Sequence, residues 1–459
     1  MSTVLKEARA TLALAVPIIV GQTSQMLINV ADSVMIGRVG TAELAAAAFA
    51  GSVFNVIFLG GLGVLAPVSL FTARAHGARD PEGIASWLKH GVALAAFTCV
   101  LQLALMLPLA GQLHRFGQPA EVIAIVGPYY VLIALSVAPA MLFQAFRQFA
   151  EALGRPWIPM VIVLGGVGLN VFFNWILIYG KLGAPALGLT GAGLATLLAR
   201  IGTLVAIIAW TRRAQRLRDA WPHARPGDAG GLRQRWTARL HAAGFREMLK
   251  IGVPAAAMLL FEVTAFTMAA LMMGWISAQA LAAHQIALTC AGMTFMVPLG
   301  LSMAVGIRMS GLVGEGRLAA RRPTAFGALA MSGVFMSITA LFFWLEGAAL
   351  ARGFVPGDPE VVALAARLLV VAAFFQLFDG AQVVAAGALR GLADVRVPTA
   401  ITFAAWWLLA IPAGYFIGVR GPAGALGIWG ALAGGLAIAA VLLVWRLARL
   451  TRPSLFSLS

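Results

Sequence analysis

The chain has 459 residues, of which 61% are hydrophobic and only 11% are charged, a composition typical of membrane proteins rather than soluble domains. A net charge of +16 is also found in nucleic-acid-binding proteins, but the basic residues here gather at the ends of apolar runs and form no stripe, which argues against that class. Cys99 and Cys290 lie inside apolar runs, so neither a disulfide framework nor a cysteine metal site is expected.

Apolar runs long enough to cross a bilayer recur along the chain, separated by charged or Gly/Pro-bearing turns. They predict an all-α polytopic membrane protein with twelve transmembrane helices. The first run is longer than a signal-peptide core and has no cleavage pattern after it, so we expect it to be retained. The predicted helices cover about residues 10–36, 45–75, 87–112, 120–150, 157–179, 188–213, 246–275, 280–311, 323–350, 358–388, 397–418 and 425–450.

A long polar segment, residues 214–245, lies between the sixth and seventh predicted helices and is rich in Arg, Pro and Gly. This composition is typical of a linker. It divides the chain into an N-terminal six-helix lobe, residues 1–213, and a C-terminal six-helix lobe, residues 246–459. Most of the 33 Lys and Arg residues fall on the side of the termini and of this linker, so that side is predicted to be cytoplasmic.

The two predicted lobes are related by an internal repeat that needs no gap over two helices. When the sequence is aligned with itself at one fixed offset, identical residues pair: Pro17 with Pro254, Met35 with Met272, Phe58 with Phe295, Gly63 with Gly300, and Gly77 with Gly314. Because each lobe has an even number of helices, the repeat is predicted to be parallel, about an axis along the membrane normal. Folds of this kind place their substrate between the halves.

Three carboxylates stand alone inside apolar segments: Asp32, Glu262 and Asp379. Removing an ionised carboxylate from water costs several kcal/mol, so an acid at membrane depth is by default a candidate functional residue. On the first helix, Gln25, Asn29 and Asp32 share one face, which lipid would not tolerate. The amides alone favour a hydrogen-bonded seam between helices, whereas Asp32 favours a cavity.

On the tenth helix Gln376, Asp379 and Gln382 also share a face, whereas Glu262 on the seventh has almost purely apolar helical neighbours. Lys250 and Arg367 are each about 18 Å along the helix from these acids and cannot pair with them locally. Two interpretations stay open. Either a cation from another helix forms a buried ion pair, or the acids bind a proton or an external cation.

Other residue types argue against an enzyme, because no Ser/His/Asp set, His-rich metal spacing or phosphate-cradling loop is present in the sequence. No cofactor is expected. Methionines, Met258 among them, crowd the seventh and eighth helices. That pattern is typical of core packing, and it also suits a cavity that accepts varied ligands.

Several segments together resemble the MATE multidrug and toxic-compound extrusion transporters, most closely their bacterial NorM branch. The resemblance runs from residue 12 to residue 447 and is carried by PIIVGQTSQMLINVADSVMIGRVG (17–40), EALGRP (151–156) with LNVFFNWILIYG (169–180) and GAGLAT (191–196), LAAHQIAL (281–288), VPLGLSM (297–303) and FDGAQVVAAGALR (378–390). It implies two lobes facing a central cavity, and export of drugs, dyes or organic cations against inward sodium or proton flow. It also implies a multi-pass protein of the bacterial inner membrane.

The resemblance also implies roles for individual residues. Glu262, Asp379 and Asp32 are the residues expected to couple transport to a cation or a proton. Glu262 and Asp379 match the cation-coupling acids of the seventh and tenth helices, with sodium as the candidate metal, and Asp32 matches the first-helix aspartate. Phe375 stands where a tyrosine is often found, which removes a potential sodium ligand. The residues expected to line the substrate cavity are Gln25, Asn29, Asn170, Asn174, Met258, Phe266, Phe375, Gln376 and Gln382.

Two other functions are compatible with the sequence. A flippase for a lipid-linked precursor would need a cationic cavity for its pyrophosphate, whereas the candidate cavity residues here are predominantly acidic. A membrane receptor or scaffold would need neither unpaired acids nor a two-lobe repeat. We expect the transporter to act as a monomer.

Overall fold

The computed structural model describes residues 3–213 and 240–452, and residues 214–239 of the predicted linker lie outside them. Within the described ranges the regular structure is helical, and twelve helices are long and apolar enough to cross a membrane. The first six are α1 (Thr3–Gly37), α2 (Thr41–Leu65 and Pro67–Gly77), α3 (Pro81–Ala110), α4 (Ala120–Leu135 and Val137–Ala152), α5 (Trp157–Tyr179) and α6 (Gly188–Arg213). The second six are α7 (Ala242–Ile276), α8 (Ala278–Gly314), α9 (Arg321–Phe354), α10 (Pro359–Gly391), α11 (Arg396–Phe403, continuing through π-helical turns to Val419) and α12 (Gly424–Leu450).

Helix starts and breaks follow from particular side chains. Asp80 and Asp358 cap α3 and α10, since their carboxylates accept hydrogen bonds from the first free backbone N–H groups at 2.9 and 3.1 Å. Ser277 caps α8 in the same way at 3.0 Å. The break in α2 falls at Pro67, which has no N–H to donate to the preceding turn.

The first helix of each half starts earlier than the charge pattern predicts. α1 begins at Thr3 rather than near residue 10, and α7 at Ala242 rather than near 246. Pro17 and Pro254 therefore lie well inside their helices and not at the helix starts. Each removes one intrahelical hydrogen bond from the interior of the helix.

The chain forms two compact units. The first comprises Met1–Ile19 with Ala257–Ser459, and the second comprises Val20–Ala256. α1 and α7 are thus each divided between the units just after their proline. The predicted lobes, 1–213 and 246–459, instead keep α1 and α7 undivided, one in each lobe. The division into these lobes stays a prediction.

The internal repeat reappears in how these helices pack. In the second unit a methyl group at Gly63 would overlap the backbone of Ala256 on α7. In the first unit a methyl group at Gly300 would overlap Ile19 on α1. Gly63 and Gly300 are repeat mates, and so are Ile19 and Ala256. The same close helix contact is therefore built twice, once in each unit.

A buried acid near the start of α1 is held by two arginines of the same unit. Glu7 is 2% exposed and pairs with Arg308 on α8 and, at 2.7 Å, with Arg317 just after α8. The hydrogen bonds of Glu315 and Glu7 raise the pKa of the Arg317 guanidinium, which keeps it charged. The predicted first helix, residues 10–36, leaves Glu7 outside it, whereas in the structure Glu7 is a buried anchor of α1.

We expect Glu7→Gln to destabilise the first unit by about 3 kcal/mol, because it leaves the partly buried Arg308 without its counter-charge. Thermal unfolding of the purified protein in detergent measures this. Glu315→Gln is the matched control, since that side chain is 42% exposed and its pair with Arg317 at 3.1 Å lies at the surface. Equal melting temperatures for the two variants would contradict the anchoring role of Glu7.

Candidate ion-coupling and substrate sites

The first unit contains an acidic site built by α7 and α10. Because α10 is continuous from Pro359 to Gly391, Gln376, Asp379 and Gln382 lie on one face, and they are 1%, 6% and 1% exposed. Glu262 on α7 is partly buried, and its negative charge acts on the carboxyl group of Asp379. Two acids from different helices are therefore brought together inside apolar surroundings.

Neither acid is neutralised by a protein cation in the part of the chain that the structure describes. The ion pairs found there involve other residues. Asp379 Oδ1, Gln376 Nε2 and Gln382 Oε1 are buried polar atoms that have no hydrogen-bond partner among the described residues. These observations disfavour the ion-pair interpretation and leave oxygen atoms available to a proton or a small cation.

Gln376 is oriented by a neighbour that the sequence did not single out. Thr294 on α8 donates a hydrogen bond from Oγ1 to Gln376 Oε1 at 3.0 Å. The contact joins α8 to α10 beside Asp379. Its sequence signal is weak, because a single threonine in an apolar helix usually bonds to its own backbone.

Aromatic rings lie one helical turn from each acid, Phe266 after Glu262 on α7 and Phe375 before Asp379 on α10. The Phe375 ring lies edge-on to Phe266 at 6.0 Å and to Trp429 at 5.7 Å, and Phe266 contacts Trp406 at 5.2 Å. Trp429 Nε1 donates to His284 Nδ1 at 3.1 Å, which holds the indole in place. Sequence reasoning missed both tryptophans, since nothing in their spacing brings them to α7 and α10.

Met258 lies one turn before Glu262 on α7 and is 7% exposed. It is one of the buried hydrophobic residues that form the core of the protein. This placement favours the packing interpretation of this methionine over a cavity surface.

The second unit contains a separate acidic site around Asp32. Asn174 Nδ2 donates to Asp32 Oδ1 at 2.6 Å and to Asn170 Oδ1 at 3.2 Å, and Asn170 Nδ2 donates to Thr196 Oγ1 at 3.4 Å. Both asparagines are buried. α1, α5 and α6 are thus joined by a chain of hydrogen bonds that begins at the carboxylate.

The two α1 residues expected to line the substrate cavity, Gln25 and Asn29, take no part in the hydrogen bonds that start at Asp32. Gln25 and Asn29 are exposed in the structure, on the same helix face as Asp32. Exposed amides on one face can donate to or accept from a ligand without losing a protein partner.

Twelve membrane-length helices with acidic sites buried inside them define a polytopic helical membrane protein. The sequence matches the MatE family over residues 17–176 and 254–416, and the chain belongs to this family. The resemblance found in the sequence is confirmed.

Two relatives named "Probable multidrug resistance protein NorM" align along nearly the whole chain. The protein of Pseudomonas syringae pv. tomato is 33% identical over 455 residues, covering 97% of this chain and 96% of the relative. That of Bradyrhizobium diazoefficiens is 36% identical over 447 residues, covering 96% and 93%.

Solved structures have the same fold at lower identity. A MATE transporter crystallised in a bent conformation superposes with a TM-score of 0.86 at 20% identity, covering 98% of both chains. A eukaryotic MATE transporter superposes with a TM-score of 0.85 at 18% identity, covering 98% of this chain and 99% of the other.

Proposed function

We propose that this protein is a secondary active multidrug efflux antiporter, which exports organic, often cationic compounds in exchange for sodium ions or protons. The observation that carries the proposal is the pair of acids, Glu262 and Asp379, which interact with each other and have no ion pair within the described ranges. An acid pair without a counter-ion at membrane depth is suited to binding an exchangeable positive charge. Membership of a family whose relatives are named multidrug resistance proteins supports the class of substrate.

The mechanism we propose is competition for negative charge during alternating access. When the site is open to the outside, a proton or sodium ion enters at Glu262 and Asp379, cancels their charge and weakens the hold on a cationic drug, which leaves. When the site is open to the cytoplasm, the coupling ion leaves and the restored charge attracts the next drug molecule. A potential of 100 mV contributes about 2.3 kcal/mol per charge that moves inward.

The other residues have supporting roles in this proposal. The amides of Gln376 and Gln382 flank Asp379, and the ring of the partly buried Phe266 offers an apolar surface to aromatic drugs. Phe375 is 2% exposed and packs against Phe266, so its role in this proposal is to hold that ring in place. Asp32 with Asn170 and Asn174 forms a second polar site that contributes to transport.

Dye efflux from vesicles containing the purified protein tests the proposal and identifies the ion. A sodium gradient and a proton gradient are imposed separately, at zero membrane potential. We expect one of them to drive efflux well above that of protein-free vesicles. Efflux that responds to neither gradient, from protein that is folded and correctly inserted, would overturn the antiport mechanism.

The termini and the linker are proposed to lie in the cytoplasm, in the inner membrane of a bacterium, with the protein acting as a monomer. We expect a cysteine introduced at Gly230 in the linker to react with an impermeant maleimide only after the cells are opened. A cysteine at Leu182, an exposed position between α5 and α6, should react in intact cells. The opposite labelling pattern would reverse the topology.

A further inference from the structure

The second half of α12 presents an exposed apolar stripe. Its members are spaced three or four residues apart, which puts them on one face of the helix. They are Ile438, Val441, Leu442 and Trp445, all exposed. The opposite face packs into the core of the first unit, where Leu443 and Leu447 are fully buried. Since α12 is long and apolar enough to cross a membrane, this exposed stripe faces the acyl chains of lipids.

The stripe ends in an aromatic ring followed by positive charge. The Trp445 side chain is 56% exposed, and Arg449 comes one helical turn later on the same face. The Arg449 guanidinium lies over the indole ring, 5.5 Å from its centre, and this contact orients the group without removing its charge. Arg452 follows just after the helix and is exposed too. A tryptophan of this kind belongs at headgroup depth, so the two arginines reach the phosphate layer.

An acid lies at this end of α12, but it is paired with another arginine. Asp394, in the turn between α10 and α11, accepts hydrogen bonds from Arg446 Nε at 2.5 Å and from its NH2 at 3.2 Å. This two-bond pair uses both carboxylate oxygens. Arg449 and Arg452 form no ion pair with any residue of the described ranges. The end of the stripe therefore offers two positive charges to an external anion.

We propose that the end of α12 binds an anionic glycerophospholipid, whose phosphate contacts Arg449 and Arg452 while its acyl chains lie along the apolar stripe. One molecule matches both parts of the surface. A free phosphate makes no use of the stripe, and a zwitterionic lipid has no net charge for the arginines to attract. The site lies on the side proposed to be cytoplasmic, where membranes carry anionic lipids. It is independent of the antiport mechanism.

The composition of the lipid beside the stripe can be measured directly in full-length protein. A fluorophore is attached to a cysteine at Leu442, which lies seven residues before Arg449 and thus about 10 Å closer to the bilayer centre. Cys99→Ala and Cys290→Ala leave this cysteine as the one labelled. The protein is placed in phosphatidylcholine vesicles with a minor fraction of phosphatidylglycerol. Either lipid carries bromine on its acyl chains, which quenches the fluorophore on contact, so the two quenching values give the lipid preference of the site.

The wild-type arginines should give a clear preference for the anionic lipid. Each arginine at the membrane surface favours an anionic lipid by about fivefold, so we expect phosphatidylglycerol to be preferred about 25-fold over phosphatidylcholine. Arg449→Gln should lower the preference to about fivefold, and Arg449→Gln with Arg452→Gln should lower it to about one. Because the contact is electrostatic and lies at the surface, high salt should weaken the wild-type preference.

Two controls separate this site from general surface charge. Arg420 also lies over an aromatic ring, 5.4 Å from the centre of Tyr415, but at the far end of α11. Arg420→Gln should therefore leave the preference at Leu442 unchanged. A fluorophore at Leu345, an exposed position on α9 of the same unit beside the acid Glu346, should show no preference for phosphatidylglycerol.

Three results would overturn the inference. Equal quenching at Leu442 by the two brominated lipids would mean that the stripe takes up lipid regardless of charge. A full preference in the double arginine variant, with a wild-type melting temperature, would place the phosphate on other residues. Loss of the preference in inorganic phosphate, but not in chloride of the same ionic strength, would mean that the arginines bind a free anion instead of a lipid.

Discussion

Replacing Glu262 by Gln, or Asp379 by Asn, is expected to reduce gradient-driven efflux to that of protein-free vesicles. An amide keeps the size and shape of the carboxylic acid but cannot carry the exchangeable charge. Since the two acids act on each other, losing either one changes the charge available to both a coupling ion and a cationic drug. Protein levels should stay normal, because neither acid holds the fold together through an ion pair with a described cation.

Glu346→Gln is the matched acid-to-amide control. Glu346 lies on α9 of the same unit and is exposed, so this variant should transport like the wild type. Efflux is measured from vesicles with equal amounts of each protein under the gradient that drives the wild type. Normal efflux by Glu262→Gln or by Asp379→Asn would remove that residue from the coupling site.

Gly63→Ala is expected to lower the stability of the protein by about 3 kcal/mol, a larger effect than that of Gly300→Ala. At Gly63 the added methyl group would overlap the backbone of Ala256, so α7 has to move away. At Gly300 the overlap is with Ile19 Cγ1, while the Ile19 backbone atoms stay 3.1 Å away, so a smaller shift of α1 relieves it than at Gly63. The cost there should be about 1 kcal/mol.

Gly292→Ala serves as the reference for both substitutions. Gly292 lies on α8 like Gly300, but a methyl group there would meet nothing within 4 Å. Its melting temperature should equal or slightly exceed that of the wild type, because Ala favours the helix over Gly. Similar losses for all three variants would show that helix propensity, and not the close contact, explains the glycines at 63 and 300.

Much of the fold can be read from the sequence, because bilayer thickness imposes the length of each helix and charges mark the turns. The rule fails where a charge is buried. The first helix was predicted to begin near residue 10, after the charged residues of the N-terminus, yet Arg308 and Arg317 neutralise Glu7 and α1 begins at Thr3. The pairing partners come from distant parts of the chain, which helical spacing cannot reveal.

The candidate sites were predictable to a similar degree. Glu262 and Asp379 stood out because each acid is alone in an apolar run, and the charge of Glu262 acts on Asp379. Arg200 also lies inside a helix, but its neighbours Ser136, at the break in α4, and Phe54, on α2, are distant in sequence. Spacing along one helix identifies a face, whereas the partner of that face depends on helix packing.

The division of α1 and α7 has a consequence for expressing the halves of the protein separately. A fragment ending at residue 213 would carry the first part of α1, which belongs to the unit of the second half, and would lack the start of α7, which belongs to its own. The fragment beginning at residue 240 would have the reciprocal defect. Each half alone is therefore structurally incomplete, and the two polypeptides should be recovered in folded form only when they are synthesised together, as complementing partners.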